Sequence, residues 1–273
     1  MGQVVHTLPE GPPVDGVTSL GDEVFVLRPK GGREQVEVYD VITYLLQRCI
    51  TVLNAGGFND MTSCEHDHCI YIADYIVMCI HRVDAQGGAT TQWPVNDKPT
   101  CLSVTKAHNV LVTCRVVRKI KEFSSHGDLL REMTLPDDVI DPSHAIQLTS
   151  GQIVVCDGSG VNELNSVFLM SADCTQVVHS HGGQRGSDTG QYNVPTYLAV
   201  DDNEFVFVAD RDNRRVKLLS PTLNYIRQVV SRDKLKWRPC FLHLDVQRRR
   251  LYVVDNELKD GKYTAGRVVV FSV

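Results

Sequence analysis

The chain has 273 residues, of which 42% are hydrophobic and 22% charged, with a net charge of −5 and a pI near 6.0. This balance carries no global bias toward nucleic acid or membranes. The longest apolar runs are only strand-length, too short to cross a bilayer, and the start, Met1 to His6, has no apolar core of signal-peptide length. A myristoylation pattern needs Ser or Thr at position six, where His6 stands.

From the N-terminus, Gln3-Val4-Val5-His6-Thr7-Leu8 reads as a strand with no neighbour in sequence to pair with. A repeated pattern follows, most visible in a strand that ends in Asp. Its copies are Glu23-Val24-Phe25-Val26-Leu27-Arg28, Cys69-Ile70-Tyr71-Ile72-Ala73-Asp74 and Asn109-Val110-Leu111-Val112-Thr113-Cys114. Then come Gln152-Ile153-Val154-Val155-Cys156-Asp157, Phe205-Val206-Phe207-Val208-Ala209-Asp210 and Arg250-Leu251-Tyr252-Val253-Val254-Asp255. The last positions, 28, 74, 114, 157, 210 and 255, are separated by 46, 40, 43, 53 and 45 residues. A period of ~40–50 residues made only of short strands points to propeller blades.

The fifth unit shows the grammar best: Thr196–Val200, Phe205–Ala209, Val216–Leu219 and Tyr225–Val230 are four strands separated by polar turns. No long segment has the spacing of an amphipathic helix. The predicted fold is all-β: a six-bladed β-propeller of four-stranded antiparallel blades, one domain over residues 1–273. The sixth unit offers only Pro239–Val246, Arg250–Val254 and Arg267–Ser272 before the chain stops. It is one strand short, so the N-terminal strand is predicted to pair with Arg267–Ser272 and close the ring.

The nine cysteines lie mostly among Val and Ile inside predicted strands. This favours reduced core thiols and a cytoplasmic protein over a disulfide framework. The expected state is a monomer with no cofactor.

The stretch Gly182-Gly183-Gln184-Arg185-Gly186, then Gly190-Gln191-Tyr192-Asn193-Val194-Pro195 and the unit Leu198-Ala199-Val200-Asp201, Val206-Phe207-Val208-Ala209-Asp210 and Asn213-Arg214-Arg215-Val216-Lys217-Leu218-Leu219, resembles an NHL repeat. The resemblance extends over the chain, closely in the fifth unit and poorly in the first and third. It implies a six-bladed propeller like the C-terminal domains of tripartite-motif proteins, which recognise protein or RNA partners. The RING, B-box and coiled-coil segments of those proteins have no counterpart here, so ligase activity is not implied.

No motif places a catalytic nucleophile, and Gly158-Ser159-Gly160 reads as a turn. Cys64-Glu65-His66-Asp67-His68-Cys69 contains metal-ligand residue types, but it falls on a turn between strands and is not assigned a metal. Asp74, Asp157, Asp210 and Asp255 recur at one blade position, which predicts turn-capping to the next turn's N–H groups rather than catalysis. In a propeller, the loops preceding each inner strand and following each second strand share one face. Its candidate binding residues are Arg115, Arg118, Arg185, Tyr192, Tyr197, Arg211, Arg214, Arg215, Phe241 and His144, the last near the channel mouth with Tyr197 and Phe241. Lys30, Arg33, Tyr75, Lys236, Trp237 and Tyr263 extend the rim. Such a face suits a protein or peptide, or single-stranded RNA held by phosphate contacts and stacking. The alternative is a propeller hydrolase or lactonase built around a central divalent ion.

Overall fold

The computed structural model describes residues 2–30, 33–52, 55–87, 89–158 and 164–273, with the side chains of residues 29, 30, 33, 34 and 164 outside that description. Blade one comprises β2 (Gly16–Leu20), β3 (Glu23–Lys30), β4 (Arg33–Asp40) and β5 (Leu46–Thr51). Blade two comprises β6 (Phe58–Cys64), β7 (Cys69–Asp74), β8 (Cys79–Asp84) and β9 (Thr90–Pro94). Blade three comprises β10 (Cys101–Val104), β11 (Val110–Cys114), β12 (Lys119–Phe123) and β13 (Leu129–Thr134). Blade four comprises β14 (Pro142–Gln147), β15 (Ile153–Gly158), β16 (Leu164–Met170) and β17 (Val177–Gln184). Blade five comprises β18 (Pro195–Val200), β19 (Val206–Asp210), β20 (Arg215–Leu219) and β21 (Tyr225–Val230). Blade six comprises β22 (Arg238–Asp245), β23 (Arg250–Lys259), β24 (Lys262–Ser272) and the N-terminal β1 (Gln3–Thr7).

The predicted clasp is present. Gln3 lies opposite Ser272, Val4 opposite Phe271, His6 opposite Val270 and Thr7 opposite Val269, with a bulge at Val5. Leu8 adds a backbone bond to the Val268 carbonyl and is fully buried. The β23–β24 hairpin runs further than the sequence pattern indicated, because pairing continues through Asn256, Glu257, Leu258 and Lys259, where the apolar alternation is lost.

Two-residue alternation in each strand explains the packing. Ile70 and Ile72 join the apolar cluster shared with blade one, while Tyr71 and Ala73 join the cluster shared with blade three. Val206 and Val208 face blade four, and Phe207 and Ala209 face blade six. Each of the six blade–blade interfaces has such a cluster. Burying both faces of every sheet is what closes the ring.

The inner strands β2, β6, β10, β14, β18 and β22 are sheet edges that face the axis. Polar side chains stitch neighbouring edges together. The Leu102 N–H donates to Asp60 at 2.7 Å, the Ser19 N–H to His243 at 3.0 Å and the Leu198 N–H to His144 at 3.3 Å. Ser63 donates to the Ser19 carbonyl and Ser103 to the Ala145 carbonyl. Asn165 and Asn256 do the same one step outward, holding the backbone of Val194 and Val14.

The strand-end aspartates are structural, but their common partner differs from the expected following turn. Each binds the loop leading into the inner strand of its own blade. Asp74 accepts from the N–H groups of Gly56 and Gly57, and Asp157 from Ile140 and Asp141. Asp210 accepts from Asn193, and Asp255 from Lys236 and Trp237. Asp74 also caps the turn that follows through the N–H groups of Ile76 and Val77, and Asp210 accepts from the Asn213 side chain in its own following turn. In blade one, Arg28 reverses the polarity. Its buried guanidinium donates to the carbonyls of Pro9, Pro12 and Gly266 and pairs with Glu37 at 3.0 Å.

Candidate functional site

The upper face carries the loops before inner strands and the turns between second and third strands. Three of these turns have the same shape. Tyr75–Met78, Arg115–Arg118 and Arg211–Arg214 each span four residues and end in a left-handed residue, with φ of 55°, 53° and 54°. Equivalent positions therefore project alike. Blade five places Asp212 and Asn213 there; blades two and three place Ile76-Val77 and Val116-Val117. Ile76 is 62% and Val116 68% exposed, and Val77, Met78, Val117 and Ile140 are also exposed. A groove of about 540 Å³ lies among these turns, bordered by Tyr75, Arg115, Val116, Arg118 and Ile140. Lys98 sits over the Tyr75 ring, 4.6 Å from its centroid.

The predicted face residues divide into three groups. Arg115 and Arg118 stand beside the groove, Arg115 ion-paired with Asp141 and Arg118 3.2 Å from Asp137. The blade-five cations are tied down. Arg185 donates to Asn193, and Arg211 pairs with Asp212 at 3.0 Å. Arg214 donates to the carbonyls of Leu235, Lys236 and Trp237. Arg215 pairs with Asp210 at 2.6 Å and bonds the carbonyls of Ser187, Asp188 and Gln191.

Tyr192, Tyr197 and His144 are buried and lie below the surface. Tyr192 is covered by the Lys217 ammonium, 4.2 Å from the ring centroid. Burial pulls the Lys217 ammonium down to about 8, with Arg215 adding to the shift. Lys30 and Arg33 have side chains outside the described set, as do Ser159 and Gly160.

Tyr197, His144 and Phe241 form a plug across the axis rather than an open mouth. The Tyr197 hydroxyl reaches across the ring to both oxygens of Asp60, at 2.9 and 3.0 Å. Its ring stacks on His144 at 3.8 Å and meets Phe241 edge-on at 5.3 Å. His144 donates from Nε2 to the Leu102 carbonyl, which leaves Nδ1 to accept the Leu198 N–H. Burial raises the Asp60 carboxyl to about 8, even though four hydrogen bonds favour its charged form. Burial lowers His144 to about 4. Below the plug, a cavity of about 270 Å³ runs toward the opposite, lower face.

Asp60 and the apolar turn residues were not singled out from the sequence. Aligning the second-to-third-strand turns would have found Ile76, Val77, Val116 and Val117, since the fifth unit has polar residues there. Asp60 left no comparable trace, because its partner is 137 positions away. Among the described residues, no three His, Cys, Asp or Glu side chains are grouped as a metal site requires.

No known family profile matches the chain. Over 108 residues it is 26% identical to human NHL repeat-containing protein 3, a segment covering 36% of this chain and 30% of that relative. The chain is a six-bladed β-propeller with partial similarity to an NHL repeat-containing protein. Among solved structures, the propeller superposes on a streptogramin B lyase with a TM-score of 0.63 and 12% identity, over 100% of this chain and 86% of that one. It superposes on the hydrazine synthase of Kuenenia stuttgartiensis with a TM-score of 0.64 and 12% identity, over 96% and 97%. Likeness at that level of identity describes the fold alone.

Proposed function

We propose that the upper face is a protein-recognition surface and that the chain is a non-catalytic module binding an extended peptide segment with apolar side chains next to a carboxylate. The observation that carries this reading is a groove lined by Tyr75, Val116 and Ile140 between two equivalent turns, whose residues Ile76, Val77 and Val117 are also exposed and apolar. Exposed apolar residues scattered singly need no explanation, but a contiguous set rimmed by polar groups marks a contact site. Arg115, Met78 and Tyr75 belong to the residue types enriched at such interfaces. The Asp141 and Asp137 partners of Arg115 and Arg118 are the groups that a ligand carboxylate would replace. RNA is less favoured, because most cations of this face already have protein partners, so phosphates would have to compete for them. The buried free thiols suit a reducing compartment, and we place the module in the cytoplasm.

The test is selection from a displayed peptide library, with random single-stranded RNA titrated in parallel at low and physiological salt. Peptides enriched in apolar residues beside Asp or Glu are expected. Ile76→Asp combined with Val116→Asp should reduce their binding by more than tenfold without lowering the melting temperature, since both side chains are exposed. Absence of enrichment, or binders indifferent to the double variant, rejects the reading. Salt-sensitive RNA binding that survives the double variant assigns the face to nucleic acid instead.

A further inference from the structure

We propose that the axial channel is a second binding site, opening on the lower face, for a small uncharged polyhydroxylated ligand of monosaccharide size. Its cavity of about 270 Å³ would hold roughly nine waters and lies just under the ~300–1,000 Å³ typical for drug-sized ligands. The site does not depend on the peptide-recognition reading, because the Asp60–Tyr197–His144 plug separates it from the upper face.

The chemistry of the walls selects the ligand class. Thr18, Thr62, Ser63, Gln147 and His243 line the cavity and are all uncharged, with burial holding the His243 imidazole down to about 4. Part of this wall is already oriented. The Thr18 and Ser63 hydroxyls are 2.7 Å apart, Ser63 donates to the Ser19 carbonyl at 2.9 Å, and His243 Nδ1 is 3.4 Å from Thr18. The half-buried Thr62 hydroxyl and Gln147 amide have no hydrogen-bond partner among the described residues, so they are available to a ligand.

Charge decides against the alternatives. The mouth is bordered by Asp201, Asp202 and Glu204 against the single ammonium of Lys106. An anion entering would pass three carboxylates and, beyond Lys106, meet no cation among the described lining residues. A cation would be drawn to the mouth but would find no carboxylate among the described residues deeper in the cavity to replace its hydration, which is unfavourable. Sugar-like hydroxyls both donate and accept, and so match Ser, Thr and Gln partners. Leu102 and Leu242 offer apolar surface to the C–H face of such a ring.

The test uses the full chain with D-glucose, D-glucuronate and D-glucosamine, followed by saturation-transfer NMR and calorimetry. Glucose should receive saturation and bind with a Kd near 1 mM, about −4.1 kcal/mol. Glucuronate and glucosamine should bind at least tenfold more weakly. Thr62→Val combined with Gln147→Leu should lose at least tenfold in glucose affinity. Because that variant alters inner strands, a second readout uses the parent protein: the His243 ring ¹⁵N resonances should shift on glucose addition. Val116→Asp on the upper face should leave both signals unchanged, so this proposal and the peptide reading fail separately. No saturation of glucose or myo-inositol at about 10 mM, which allows for weak binding, overturns the proposal. So does glucuronate binding as well as glucose, or an unmoved His243 ring.

Discussion

Asp60 places a carboxyl where water does not reach, and its protonation ties stability to pH. Its ordinary value of 3.8 rises to about 8 in the fold. Between these values the unfolded chain has released a proton that the folded chain keeps, so stability falls as pH rises, by up to about 1.4 kcal/mol per pH unit. His144 and His243 have the opposite sign. Burial lowers both from 6.5 to about 4, so they remove stability as pH falls below 6.5. The Asp60 slope is therefore clearest between pH 6.5 and 8. Urea denaturation across that window should show stability declining in the parent and much less in Asp60→Asn; equal slopes would exclude the buried proton. The arginines provide a second residue-scale contrast. Arg214→Glu should lower stability by about 2 kcal/mol, since it strands three carbonyl acceptors and places a carboxylate among them. Arg118→Glu should change it by less than about 0.5 kcal/mol, because its partner Asp137 is fully exposed. Loop position alone does not separate these two cations; their backbone partners do.

At the scale of elements, strand patterns were readable because each strand's alternation serves two neighbours at once, as Ile70 and Tyr71 illustrate. The missing strand of blade six was readable for the same reason: a repeat that stops early exposes its own incompleteness. Blade position placed His144, Tyr197 and Phe241 near the axis, but their closure into a plug on Asp60 was not readable, because Asp60 comes from another blade and carries no local signature. The reach of the β23–β24 hairpin was also hidden, since its tip is mostly polar and breaks the strand's apolar alternation. Deleting residues 1–8 removes β1, exposes the β24 edge and unburies the site of Leu8. Loss of Leu8 burial alone is worth about 2 kcal/mol. For a ring of this size that corresponds to a melting temperature lower by at least ~4–8 °C. A calorimetric scan matching the full chain would show that β1 does not act as the clasp.

At the scale of the molecule, the inner-strand side chains make each blade's axial edge a partner of the next, and the clasp joins the two chain ends in one blade. A blade cannot leave without unburying both of its interfaces, so the ring should open as one unit. The cysteines provide reporters for this. Cys49 is exposed in blade one, and the other eight are buried across blades two, three, four and six. Burial raises the thiols of Cys79, Cys101, Cys114, Cys156, Cys174 and Cys240, which further suppresses their reaction in the folded state. A thiol-modifying reagent should therefore react with about one group in the native protein and with all nine after denaturation. Pulsed labelling through a urea series, read by peptide mass analysis, should give the eight buried thiols a common midpoint. Cys79 in blade two and Cys240 in blade six form the decisive pair, because they lie in different blades and share no apolar cluster. If Cys240 became reactive at clearly lower urea than Cys79, blade six would be opening alone at the clasp, and the ring would be a chain of separable units rather than one cooperative closure.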